Sequence, residues 1–134
     1  LRHSNKNKKL GRTKSHRDAM IKNMIRSLVI HERIKTTLAK AKLVKRHAER
    51  VISFSLEKTV ANQRIINQTL QDRTLVKRLC DEIAPRFANH KGGYTRIFKL
   101  GTRPGDSAET ALLELTVKKP KETTKKEAKQ AKKK

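Results

Sequence analysis

The side chains that could do chemistry in this 134-residue sequence are five histidines, one cysteine and a large excess of cations. His16 and Asp18 could form an acid–base pair, but both sit at a helix start, where capping explains them. No histidine has a second ligand at metal-like spacing. Cys80 falls within an apolar stripe, where a thiol acts as a small hydrophobe rather than a nucleophile. Gly101 and Gly105 match a phosphate-cradling loop poorly. Neither catalysis nor a cofactor, metal or small-molecule substrate is therefore expected. What remains is charge: 35 Lys and Arg oppose 12 acids, a formal +23, and charge this one-sided calls for a polyanionic partner.

The elements that must position this charge begin within Ser15–Lys42. Ser15 reads as a cap, with Asp18 three residues on as a weak capping box that also suits the helix dipole. Met20, Ile21, Met24, Ile25, Leu28 and Val29 recur at helical spacing and predict a buried stripe. Arg17, Lys22 and Arg26 lie off it. Such a basic face is often simply solvated. The same sign recurring on every later element favours phosphate contact here. HERIKTT (31–37) breaks the helical period and reads as a short strand, with Thr37 capping the next helix. That helix runs to about Leu56, with Ala41, Val44, Ala48, Val51 and Ile52 on one face and Lys42, Lys45, Arg46 and Arg50 on the other.

A third helix over Thr59–Leu70 is expected to bury Val60, Ile66 and Leu70. Asp72 caps a fourth, with Leu75, Val76, Leu79, Cys80 and Ile83 inward and Pro85 as its end. After the Gly92-Gly93 turn, Tyr94–Leu100 and Thr110–Val117 read as strands joined by a nine-residue loop. The order predicts an α+β fold, a two-layer α/β domain running helix-strand-helix-helix-helix-strand-strand. The two late strands are expected to pair and the first to join them.

Charge divides the chain into three parts. Residues 1–14 hold six Lys/Arg and no acid, and read as a basic extended N-terminal arm. Fourteen extended residues span up to ~46 Å. Residues 15–117 form the globular domain, at 20 basic against 10 acidic residues. Residues 118–134 carry nine Lys and two Glu, a Lys-rich C-terminal tail of low complexity. No apolar run approaches the ~20 residues of a membrane helix, and no insertion face for a membrane surface stands out. Aromatics make up 3% of the chain. Phe54, Phe87 and Phe98 are expected in the core. Tyr94 is the one aromatic expected near RNA, with packing at the sheet edge as the alternative. Backbone and shape recognition of folded RNA is the mode these features favour.

The motifs Arg2-His3, SHRDAM (15–20), NMIRSL (23–28), HERIKTT (31–37), KAK (40–42), PRFA (85–88), GGYTRI (92–97) and RPGD (103–106) resemble one family in order and without gaps. That family is large-subunit ribosomal protein seventeen of bacterial-type ribosomes. The resemblance spans Leu1–Val117 and leaves the lysine-rich end outside. It implies a structural, non-enzymatic protein assembled on large-subunit ribosomal RNA near the outlet of the peptide tunnel. Its neighbours would be other ribosomal proteins; it would not be a homo-oligomer, and its ribosome would be cytoplasmic rather than organellar. The RNA-facing residues carried over are Arg2, His3, Lys8, Lys9 and Arg12 in the arm and Ser15, His16, Arg17, Lys22, Asn23 and Arg26 on the first helix. Lys91, Gly92, Gly93, Tyr94 and Arg96 follow at the turn, with Arg103 a weaker candidate in the loop. Leu1 stands at the family's initiator methionine, as expected of a leucine-type start codon translated literally. The competing reading is a general nucleic-acid compaction protein, which would need only charge and a dimer seam. No heptad run for such a seam is visible.

Overall fold

The structure is a computed structural model and describes residues 8–118. Arg2, His3 and nearly all of the lysine-rich tail lie outside the described residues. The first helix, α1, spans Lys14–His31 and buries Ile21, Ile25, Leu28 and Val29, with Met20 and Met24 packed against the same core. Its cap is Thr13 rather than Ser15, which is already the second helical residue. Thr13 is extended and its carbonyl accepts the Arg17 N–H at 3.0 Å, while no side-chain oxygen caps this end.

At the other end of α1 the chain turns at Glu32, whose φ of 61° is left-handed. A non-glycine residue adopts this at a cost of roughly 1–2 kcal/mol, and the local contacts explain why it does so. The Glu32 N–H closes α1 onto Leu28 at 2.8 Å, and its carbonyl accepts the Leu115 N–H at 3.0 Å. Its carboxylate receives both terminal nitrogens of Arg86 at 3.0 Å each, a bidentate pair. One residue thus joins the end of α1, the last strand and the turn carrying Arg86.

Strand β1, Arg33–Thr37, leads without a loop into α2, Leu38–Leu56. Thr37 holds the cap position but makes no side-chain cap bond. Helix α2 is the centre of the core and packs on all three strands. It buries Leu38, Ala41, Val44, Ala48, Val51, Ile52 and Ser55. The small side chains of Ala41 and Ala48 let the helix approach its neighbours closely. The buried Ser55 hydroxyl donates to the Ile52 carbonyl at 2.6 Å, as a buried polar group must.

Helix α3, Val60–Leu70, starts at Thr59, whose hydroxyl accepts the Asn62 N–H at 3.2 Å. Ile66 and Leu70 are buried, but Val60 is 66% exposed. As the first helical residue, Val60 precedes the turn that reaches the core. Helix α4, Arg73–Arg78, is capped by Asp72, which accepts the Thr74 N–H at 2.8 Å. Side-chain caps of this kind contribute about 1 kcal/mol each. Pro85 does not terminate the helical path as expected. The path widens into a π-helical turn over Leu79–Ile83 and then tightens into a 3-10 turn over Ala84–Phe87. Pro85 lies in the first turn of that last piece, where its missing N–H costs nothing.

The sheet order is β1-β3-β2, antiparallel throughout, with β2 at Thr95–Thr102 and β3 at Glu109–Leu115. Inward rows set Ile34, Leu113 and Ile97 side by side against the helices. Gly101 (φ 93°) sits at a bulge where the register shifts between Lys99 and Gly101, a position suited to a residue without Cβ. Strand β2 reaches Thr102, so the loop shortens from the expected nine residues to the six of 103–108.

Candidate nucleic-acid interface

The candidate residues do not form one continuous patch. They fall at opposite ends of α1 and in the hairpin loop. At the start of α1, Arg12 donates from Nε to His16 Nε2 at 3.3 Å, and Arg17 donates to the Arg12 carbonyl at 3.4 Å. The chain entering the helix is thereby folded back so that these three side chains share one corner. Lys8, Lys9, Ser15 and His16 are exposed beside it. One turn further on, Lys22 lines a groove of about 500 Å³ between α1, α2 and α3, together with His47 and Arg50. The Arg50 guanidinium stands 5.9 Å over the Phe54 ring. Burial, with Arg46 and Arg50 adding to it against the opposing pull of Asp18, pushes His47 below its usual range. The lowered His47 favours the neutral imidazole, so the charge of the groove comes mainly from Lys22 and Arg50 set against Asp18. Asn23 is exposed. Arg26 has a structural duty as well: Thr74 hydrogen bonds first, and the field of Arg26 in addition, hold the capping Asp72 carboxyl low.

The second group lies past the far end of α1, which rises roughly 20 Å from Arg17 to His31 at 1.5 Å per residue. Lys91, Gly92 and Gly93 form an exposed turn. Thr116 anchors it, its hydroxyl donating to the Gly93 carbonyl at 2.8 Å and its N–H to the Tyr94 carbonyl at 2.9 Å. Gly93 has φ 67°, so a side chain here would be strained. Tyr94 points inward. It is 6% exposed, packs edge-on against Phe87 at 5.4 Å, and so offers no ring face to a base. The turn needed an anchor in the core, and the aromatic supplies it.

Arg96 is exposed and bonds through Nε to Glu114 at 2.8 Å. Burial opposes the charge on Glu114, but the bonds from Arg96 and Lys118 outweigh it and keep the carboxyl below its usual range. Arg103 stands apart in the loop, roughly 20 Å along β2 from Arg96, and is paired with Asp106 through Nε at 3.0 Å. This pairing, with the Ala108 N–H, lowers the Asp106 carboxyl to about 2. The ion pair therefore persists through the usual carboxylate range and is lost only as pH falls through about 2. A carbon-detected NMR titration of Asp106 should show that midpoint, and a midpoint near the ordinary 3.8 would mean the loop does not hold this geometry.

Sequence reasoning missed the outward face of the sheet. Phe98 is 44% exposed rather than in the core. Strict alternation from Thr95 and Ile97, which face inward, was the signal that could have placed it outside. Among the described residues, no group of three or more His, Cys, Asp or Glu could hold a metal ion, and no helix is long and apolar enough to cross a membrane. Burial pushes the Cys80 thiol up, which keeps it protonated and unreactive.

A small α+β body with cations displayed at both ends of its first helix defines a polyanion-binding structural protein. The chain belongs to the ribosomal protein L17 family, which it matches over residues 20–116. It is accordingly a structural constituent of the large ribosomal subunit that binds ribosomal RNA, and its partners are that RNA and other ribosomal proteins.

Proposed function

We propose that the chain docks on large-subunit rRNA through the α1 entry corner, with residues 1–14 as an arm reaching into the RNA and residues 15–117 as the folded body. Arg2, His3, Lys8, Lys9 and Arg12 in the arm and Ser15, His16, Arg17, Lys22, Asn23 and Arg26 on α1 make the main contact. Lys91, Gly92, Gly93 and Arg96 make a second, separate one. Arg103 is the weakest candidate because Asp106 already neutralises it. The observation that carries this reading is the corner of Arg12, His16 and Arg17, where bonds from Arg12 to His16 and from Arg17 to the Arg12 carbonyl gather cations at the start of the helix. Phosphate neutralisation supplies most of the affinity in such a mode. The family resemblance supports a place near the outlet of the peptide tunnel, on a cytoplasmic ribosome, as a single copy.

Sedimentation of cell lysate at low and moderate salt tests the assignment. Co-migration with large subunits at both is expected. A protein found mainly free would refute it, and one found with DNA would refute it in favour of nucleic-acid compaction.

A further inference from the structure

The outward face of the three-stranded sheet carries two cross-strand rows. The first sets Arg33, Glu114 and Arg96 side by side, and the second Lys35, Leu112 and Phe98. Phe98 is the only exposed aromatic ring among the described Phe and Tyr residues. The Arg96 guanidinium lies 5.0 Å from the centre of that ring, and its Nε bond to Glu114 holds it there. The ring is thus braced on one side and open on the other. Arg33 and Lys35 complete the face from the opposite edge strand and are both exposed.

We infer that this face is an RNA contact in its own right, where one unpaired base stacks on Phe98 and the phosphates flanking it meet Lys35 and Arg33. The inference rests on the rRNA-binding reading and extends it, from phosphate and shape recognition to one point of base stacking. Charge decides the occupant. The two rows carry three cations against one carboxylate, and that carboxylate is 4% exposed and already bonded to Arg96 and to Lys118 beyond the strand. An apolar protein surface laid over Phe98 would bury Arg33 and Lys35 without partners, which is costly. A single-stranded nucleotide offers both a π-face for the ring and anions for the rim. With strands about 4.8 Å apart, Lys35 lies roughly 10 Å from Phe98, within reach of a phosphate beside the stacked base.

The test uses the full-length protein and purified large-subunit rRNA, with Phe98→Leu, Phe98→Trp and Lys35→Ala. Loss of one stacked base is expected to weaken binding of Phe98→Leu roughly 5- to 150-fold while leaving the log–log salt slope unchanged. Phe98→Trp should retain wild-type affinity. Lys35→Ala should reduce the slope by about one. Base-specific chemical probing should reveal a nucleotide protected by wild type and Phe98→Trp but not by Phe98→Leu. Because Phe98 is exposed, circular dichroism and Tm should match wild type in all three variants. Unchanged RNA affinity for Phe98→Leu would overturn the inference while leaving the rRNA reading standing. Unchanged RNA affinity together with lost association of another ribosomal protein would overturn it in favour of a protein contact. If the unaltered protein failed to bind rRNA, the functional reading would fall and this inference with it.

Discussion

Removing residues 1–12 is expected to flatten the salt dependence of rRNA binding by about four in log–log slope. The deletion takes away five of the six basic residues of the arm, and each phosphate contact contributes about 0.7 to 0.9. At low salt the loss of affinity should be several orders of magnitude, and it should shrink as salt rises. The fold dictates where to cut. Helix α1 is capped by Thr13, whose carbonyl receives the Arg17 N–H, so a cut after Arg12 leaves the helix start intact. Helical circular dichroism should then be preserved. A truncated protein that unfolds would show that the arm is part of the body. One that keeps the wild-type slope would show that the arm makes no phosphate contacts. Removing residues 118–134 should harm assembly less, despite their nine lysines. The reverse ranking would contradict an interface positioned at the start of α1.

Phe87→Ala should be among the most damaging single substitutions for stability. The ring is fully buried, with Tyr94 edge-on at 5.4 Å and His90 edge-on at 5.6 Å. Truncating a buried phenylalanine costs about 3–5 kcal/mol, a large share of the 5–15 kcal/mol typical of a domain. For roughly 100 residues this corresponds to a fall in Tm on the order of 15–30 °C. The same change at Phe98 should cost under about 1 kcal/mol, because its ring is already half in water. Thermal melts of the two variants side by side check both statements. Equal losses would mean that Phe98 is packed as deeply as Phe87 and does not lie on the outward face of the sheet. A fall at position 87 should also release the Lys91–Gly93 turn, since Tyr94 holds that turn through its contact with Phe87.

The electrostatics separate cations that bind from cations that brace. Arg86 is spent on Glu32, Arg103 on Asp106, and Arg96 is shared between Glu114 and the Phe98 ring. Only a minority of the formal positive charge is tied down in this way. The face of α2 bearing Lys42, Arg46 and Arg50 is exposed and adds to the attraction, with Arg50 resting over the Phe54 ring.

Element order, the buried stripes of α1 and α2 and the pairing of the late strands were legible in the sequence because their signals are local. A helix repeats its buried face every three to four residues and a strand every two, whatever the rest of the chain does. The motifs that mark the ribosomal protein L17 family are contiguous for the same reason. Other features became visible only in the folded chain. Glu32 adopts a left-handed turn because Arg86, 54 positions away, and Leu115 hold it there, and nothing about a glutamate announces this. The helical path runs through Pro85 by changing pitch, with Ile83 and Phe87 buried on either side of it. Of the three aromatics at 87, 94 and 98, composition could not say which face water. Tyr94 precedes β2 and is buried against Phe87, whereas alternation along β2, with Thr95 and Ile97 inward, turns Phe98 outward. The local code determined which elements form and that the chain seeks a polyanion. Long-range pairing alone decided which residues of those elements are free to meet it.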